Sequence, residues 1–137
     1  NLEEIKWLIN RVSELSGDES LSSRLGWCFD SCHAHAAGYA LGKDPRSIGS
    51  KMALEEIENL DLWSTLKCIH INDSRDDFDS GRDRHANLGE GNIPEEDFKY
   101  FVNHKEVKEI PLLLEVPGAD KKGPDKKNID VLKGYCE

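Results

Sequence analysis

Leu66-Lys67-Cys68-Ile69-His70-Ile71-Asn72-Asp73-Ser74 starts as a strand and ends as a polar loop. Its apolar first part suits a buried strand, and Asn72-Asp73-Ser74 is the exit. Alternation along a strand puts Cys68 and His70 on one face and Ile69 and Ile71 on the other. One face is thus free to pack on helices while the other presents a histidine near the strand's end.

Downstream, a polar run extends to about Asn92, roughly 20 residues with no clear element, which is uncommon in compact domains unless functional or disordered. At its centre stands Gly81-Arg82-Asp83-Arg84-His85-Ala86-Asn87-Leu88-Gly89-Glu90-Gly91. Asp83 and His85 alternate so that both can turn toward one point, as metal ligands must. Then Ile93-Pro94-Glu95-Glu96-Asp97-Phe98 predicts a helix start, because Pro near the first turn and three acids suit the helix dipole. That helix runs to about residue 103. Ile110-Pro111-Leu112-Leu113-Leu114-Glu115-Val116 reads as a further strand, residues 120–127 as an exposed charged loop, and residues 128–135 as a last short helix.

Upstream, Ile5, Leu8, Ile9, Val12 and Leu15 recur at spacings of three and four, which predicts an amphipathic helix over residues 3–15 ending at Ser16-Gly17-Asp18. Leu25-Gly26-Trp27-Cys28-Phe29 predicts a strand ending at Asp30, residues 31–41 an Ala-rich helical turn or two, and residues 51–62 another helix. Strands that alternate with helices point to α/β architecture, in which parallel βα units are joined by right-handed crossovers. The 137 residues are expected to form one domain.

In parallel α/β folds, ligands bind at the carboxyl ends of the strands. Asp30 ends the first strand with His33 three residues on, His70 lies near the end of the second, and Glu115 ends the third. With Asp83 and His85 these six are the candidate metal ligands. Each has a plainer reading as well. Asp30 suits a helix N-cap, His70 a hydrogen-bonded structural histidine, and Asp83 and His85 a loop folded on itself. His35 and His104 are read as structural, and Arg82 and Arg84 as loop braces, with phosphate contact as the sharper alternative. Glu115 resists the plain reading, since an apolar strand would bury an unpaired carboxylate at a cost of several kcal/mol.

A net charge of −9 argues against passive nucleic-acid binding through a basic surface. No stretch approaches a membrane span and no charged-then-apolar leader opens the chain, so no membrane partner is expected. Cys28, Cys32, Cys68 and Cys136 form no CxxC pair and read as reduced thiols of a cytoplasmic protein.

Four motifs in this order carry a family resemblance: residues 29–38 (FDSCHAHAAG), 69–74 (IHINDS), 83–91 (DRHANLGEG) and 111–115 (PLLLE). Together they resemble endonuclease IV, the zinc-dependent apurinic/apyrimidinic endonuclease of base-excision repair. The resemblance implies a TIM barrel of eight βα units holding three zinc ions at its carboxyl face. It further implies that His33, Asp83 and His85 match the three protein ligands of one zinc. Asp30, His70 and Glu115 match ligands of a second, which gives Asp30 and Glu115 their catalytic role through metal ligation. The bridging glutamate and the histidines of the third zinc belong to earlier strands of the family and have no counterpart here. About three strands are present, so the chain resembles the C-terminal half of the barrel, a partial barrel of one domain over residues 1–137.

For the complete enzyme the implied reaction is phosphodiester hydrolysis 5′ to an abasic site in double-stranded DNA, leaving a 3′-hydroxyl and a 5′-deoxyribose phosphate. The half-barrel is expected to be inactive or nearly so alone, and to associate with itself or with the missing half. Two other readings stand beside this one. Sugar isomerases of the related barrel group hang similar ligands on strand ends, and a non-catalytic half-barrel would expose its sheet edges.

Overall fold

The computed structural model describes residues 1–17, 19–22 and 24–137; the Asp18 part of the first expected helix end lies outside them. In chain order the elements are α1 (Leu2–Ser16), α2 (Glu19–Ser22), β1 (Trp27–Asp30), α3 (Ser31–Ala36), β2 (Tyr39–Ala40), β3 (Lys51–Met52) and α4 (Ala53–Asn59). A 3-10 turn (Trp63–Thr65) then leads to β4 (Leu66–His70), β5 (Asp73–Ser74), β6 (His85–Ala86), α5 (Glu95–Val102), β7 (Leu112–Leu113) and α6 (Lys126–Tyr135).

The expected parallel strands form a three-stranded sheet of order β1-β4-β7. Cys28 pairs with Cys68, Phe29 with Ile69 and Asp30 with His70, so the anticipated alternation holds across β1 and β4. Trp27, Phe29, Ile69 and Ile71 are buried on the face that packs against helices. Phe29 stacks on Phe101 of α5 at 4.9 Å, and Phe98 stacks on Tyr135 of α6 at 5.7 Å. Among the described residues the sheet does not close, and the architecture is a partial barrel.

Four expectations need correction. The run after β4 is not featureless, because β5 and β6 pair antiparallel inside it. Residues 39–40 are not helical; they pair in parallel with Lys51–Met52, which shortens the following helix to Ala53–Asn59. Gly38 turns the chain out of helix with φ 81, and Lys51 N donates to its carbonyl at 3.1 Å. The third strand is only Leu112–Leu113 because, among the described residues, it has β4 on one side and no partner on the other. On α1, Leu2 is buried and Ile5 and Ile9 pack on the core, whereas Leu8, Val12 and Leu15 of the expected apolar face are exposed. Among the described residues no helix is long and apolar enough to cross a membrane.

Helix ends follow local chemistry. Asn1 and Glu4 form a capping box at α1, and Gly17 closes that helix in the left-handed region at φ 61. Asp125 caps α6 by accepting from Asn128 N at 3.0 Å and also accepts from Ala119 N at 2.8 Å. These backbone donors, with the Asn128 amide, hold its carboxyl down at about 2. Above its unfolded value of about 3.9 the carboxylate stabilises the fold in full, and that contribution is lost as pH falls through the folded value. Asp125→Asn should therefore lower the melting temperature at neutral pH and flatten its acid decline below about pH 4. Circular-dichroism melts across that range check this; parallel pH slopes in the two chains would count against the cap.

Candidate metal centre

The sheet's carboxyl end gathers polar side chains because β1 and β4 each stop at an inward-facing polar residue and Glu115 follows β7 by two residues. Asp30, last in β1, divides its carboxylate between two tasks. Oδ1 caps α3, accepting from Cys32 N at 2.8 Å and His33 N at 3.1 Å. Oδ2 faces the site, 3.6 Å from His70 Nδ1 and 3.8 Å from His85 Nε2. The cap and ligand readings of Asp30 are thus compatible. One turn into α3, His33 reaches Asp83 Oδ2 through Nε2 at 2.7 Å.

His70, last in β4, lies between two carboxylates, with Nδ1 2.8 Å from Glu115 Oε2. Glu115 itself departs from expectation: its side chain is 53% exposed. The inferred cost of burying its charge does not arise here, because β7 is an edge and leaves this carboxylate open on one side. The remaining pair comes from the long loop. Asp83 lies between the two histidines, with Oδ1 3.2 Å from His85 Nε2 and Oδ2 on His33.

Donor atoms therefore converge in overlapping groups. Asp30, His70 and Glu115 bring one ligand atom each within 4.8 Å of one another, and so do Asp30, His33 and His85. Cys32, Asp83 and His85 form a third such group. The division into two ligand sets that the resemblance implies is sharper than this arrangement, in which Asp30 serves both. Cys32 is fully buried, and burial pushes its thiol up to about 11.

The donor set fits a cation on a specific observation. His85 Nδ1 is 3.3 Å from the Glu115 backbone carbonyl, the partner that takes an Nδ1–H. Its Nε2 is buried without a hydrogen-bond partner and faces two carboxylates. A lone pair aimed at carboxylates is repulsive unless a cation or a proton lies between, and a backbone carbonyl on the far nitrogen is the usual orienting partner of a metal-binding histidine.

Two residues that position the site were not singled out in this role from sequence. Asn72 ties the three strand ends together: Nδ2 donates to Asp30 Oδ2 at 2.9 Å, and Oδ1 accepts from Glu115 N at 2.8 Å. Its backbone carbonyl and N–H are both bound by the Ser31 hydroxyl, each at 2.7 Å. Fully buried Asp73 accepts from four backbone N–H groups, those of Ser74, Gly89, Gly91 and Ile93, at 2.8–3.1 Å. A side chain at Gly91 would collide with this carboxylate and with the Ser74 carbonyl. The sequence offered no more than their place directly after an apolar strand.

Arg82, Arg84, His35 and His104 make contacts away from the ligand cluster. Arg84 grips Asp76 with two nitrogens and Arg82 stands 3.8 Å from it, so both brace the loop. His35 is buried 3.3 Å from the Asp76 carbonyl, and burial lowers its pKa. His104 stacks on Trp63 at 5.4 Å.

Residues 2–135 match the family model described as xylose isomerase-like TIM barrel. A probable endonuclease 4 of Chloroflexus aurantiacus is 37% identical over 114 residues, 83% of this chain and 39% of that protein. The probable endonuclease 4 of Staphylococcus saprophyticus is 36% identical over 138 residues, 97% of this chain and 43% of its own length. Among solved structures, endonuclease IV from Thermus thermophilus superposes with a TM-score of 0.63 at 31% identity, covering 79% of this chain and 37% of that one. The chain thus spans about two fifths of the length of the curated relatives it matches.

Proposed function

The chain belongs to the xylose isomerase-like TIM barrel family, in its endonuclease IV branch, and from that premise we propose that it is the C-terminal part of a zinc-dependent DNA repair endonuclease. The reaction we assign to the complete barrel is hydrolysis of the phosphodiester bond 5′ to an abasic site in duplex DNA. One observation carries the assignment: six oxygen- and nitrogen-bearing side chains converge at the carboxyl end of a parallel sheet, with His85 Nε2 facing two carboxylates. Neutral imidazole with carboxylate is a donor set that suits zinc.

His33, Asp83 and His85 would hold one ion, and Asp30, His70 and Glu115 would supply ligands to a second. Zinc bound there would supply Lewis acidity toward the phosphodiester and would acidify a water. The chain's own residues do the rest. Asn72 fixes the Asp30 carboxylate and the Glu115 backbone on one frame, so two ligands from different strands move as a unit. Arg84 pairs with Asp76 across the loop, and Arg82 adds a longer contact to the same carboxylate. With −9 net charge, duplex binding must draw on the metals and on the remainder of the barrel. The relatives named above are endonucleases, and we therefore set the ketose isomerase reading aside.

The test is incision of a duplex carrying one abasic site, scored by whether a polymerase extends the product's 3′-hydroxyl. The zinc-loaded chain alone should incise negligibly. Mixed with the complementary part of an endonuclease IV it should incise 5′ to the lesion, and His85→Ala should abolish this. Robust turnover by the chain alone would refute the half-site reading. Absence of incision with both parts and zinc present would refute the nuclease assignment.

A further inference from the structure

One layer below the carboxylate-rich centre lies a donor group of different chemistry. Cys28 and Cys68 are directly paired across β1 and β4, which run parallel and in register there, and both point to the face that carries Asp30 and His70. Their two sulfurs and a ring nitrogen of His70 lie within 4.8 Å of one another. We propose that Cys28, Cys68 and His70 form a second metal site, selective for a thiophilic d10 cation such as Zn²⁺ or Cd²⁺.

Three arguments support it. The donor types are right, since two thiolates and an imidazole are soft to borderline ligands, and three protein ligands leave a fourth position open. The spacing is right, because metal–ligand bonds of about 2.0–2.3 Å put tetrahedral donors roughly 3.5–4 Å apart, which small side-chain rotations reach from the present separation. Access is also right: Cys28 is exposed and Cys68 half-buried. All four cysteines are free, so neither sulfur is committed to a disulfide.

The site is independent of the nuclease assignment, but it shares one ligand with the centre above. His70 Nδ1 already faces Glu115 Oε2 at 2.8 Å. A cation seated on the two sulfurs would draw His70 downward and weaken the Asp30, His70 and Glu115 group. Thiophilic and harder cations therefore compete for this chain through a single imidazole.

Cd²⁺ is the probe, because each cadmium–thiolate bond adds ultraviolet charge-transfer absorbance. Titrating the reduced 137-residue chain with Cd²⁺ should give a two-thiolate band whose growth accounts for one ion per chain, beside any ion that the carboxylate-rich centre holds without thiolate absorbance. Cys136→Ser should leave the band unchanged. Cys28→Ser and Cys68→Ser should each lose it, with far-UV circular dichroism confirming the fold, and His70→Ala should keep the thiolate absorbance but bind Cd²⁺ more weakly. A band of undiminished intensity in either Cys28→Ser or Cys68→Ser would overturn the proposal, and so would a wild-type band of one-thiolate intensity. Should either serine variant unfold, the cadmium NMR spectrum of the wild-type chain decides: a two-sulfur shift supports the site, and a spectrum holding only oxygen- and nitrogen-ligated shifts overturns it.

Discussion

Asp73→Ala is expected to destabilise the chain by at least about 4 kcal/mol, enough to unfold it or to release the loop that carries Asp83 and His85. The carboxylate is fully buried and accepts four backbone N–H bonds, one from its neighbour Ser74 and three from Gly89, Gly91 and Ile93, which lie 16, 18 and 20 residues away. Alanine leaves these donors with no acceptor in a space with little room for water. Each buried donor left unsatisfied costs about 1–3 kcal/mol, and a domain's whole stability is about 5–15 kcal/mol. Burial also pushes the Asp73 carboxyl up, against the pull of those four N–H groups, so the site tolerates this charge only because the donors are there. Urea unfolding of Asp73→Ala beside Asp77→Ala, an exposed control, measures the effect. The control should stay within about 0.5 kcal/mol of the parent. A loss below about 1 kcal/mol in Asp73→Ala would mean that the β5–β6 ladder and the Arg84–Asp76 pair hold the loop without it, since one ordinary hydrogen bond is worth that much.

Asp73 also marks where sequence reasoning stops. The β1 and β4 alternation was legible because Trp27 and Phe29, and then Ile69 and Ile71, declare a face by period alone, and that period carried Asp30 and His70 to the right side of the sheet. The start of α5 was legible from Pro94 and its three acids for the same local reason. Glu115 was misjudged. Leu112-Leu113-Leu114 has the composition of a central strand, but burial depends on a neighbour on each side, and β7 has one; Leu113 is 46% exposed. The loop's interior was invisible because its bonds join residues far apart in the chain. Nothing near Asp73 in sequence states that Gly91 must come close enough to touch it, and a two-residue ladder such as β5–β6 is too short to leave a period. The donors of the candidate centre could therefore be placed one by one, whereas the pieces that hold them, Asn72 and Asp73, could not.

The second large effect concerns the centre itself. In a chain carrying Cys28→Ser and Cys68→Ser, so that the thiol pair contributes nothing, zinc reloading after metal stripping should give about one tightly held ion, and His85→Ala should lose it. Among the imidazoles here, His85 is the one most strictly prepared. Its Nδ1 is taken by the Glu115 carbonyl, which leaves Nε2 as the available ligand atom, and that nitrogen is buried between Asp83 Oδ1 and Asp30 Oδ2. Removing an outer hydrogen-bond partner of a ligand already weakens metal binding by about 10–100-fold; removing one of the ligands themselves should exceed that. His33 is a weaker anchor because its side chain is 57% exposed and its Nε2 already has Asp83 for a partner. His33→Ala should thus reduce zinc affinity by less than His85→Ala. Zinc content by mass spectrometry under native conditions, with circular dichroism to confirm folding, gives the answer. Retention of a full equivalent in His85→Ala would remove Asp83 and His85 from the metal centre and return the loop to a purely structural role. Loss in His85→Ala with partial retention in His33→Ala would establish that this half of the barrel assembles its metal site before any other part of the protein is supplied.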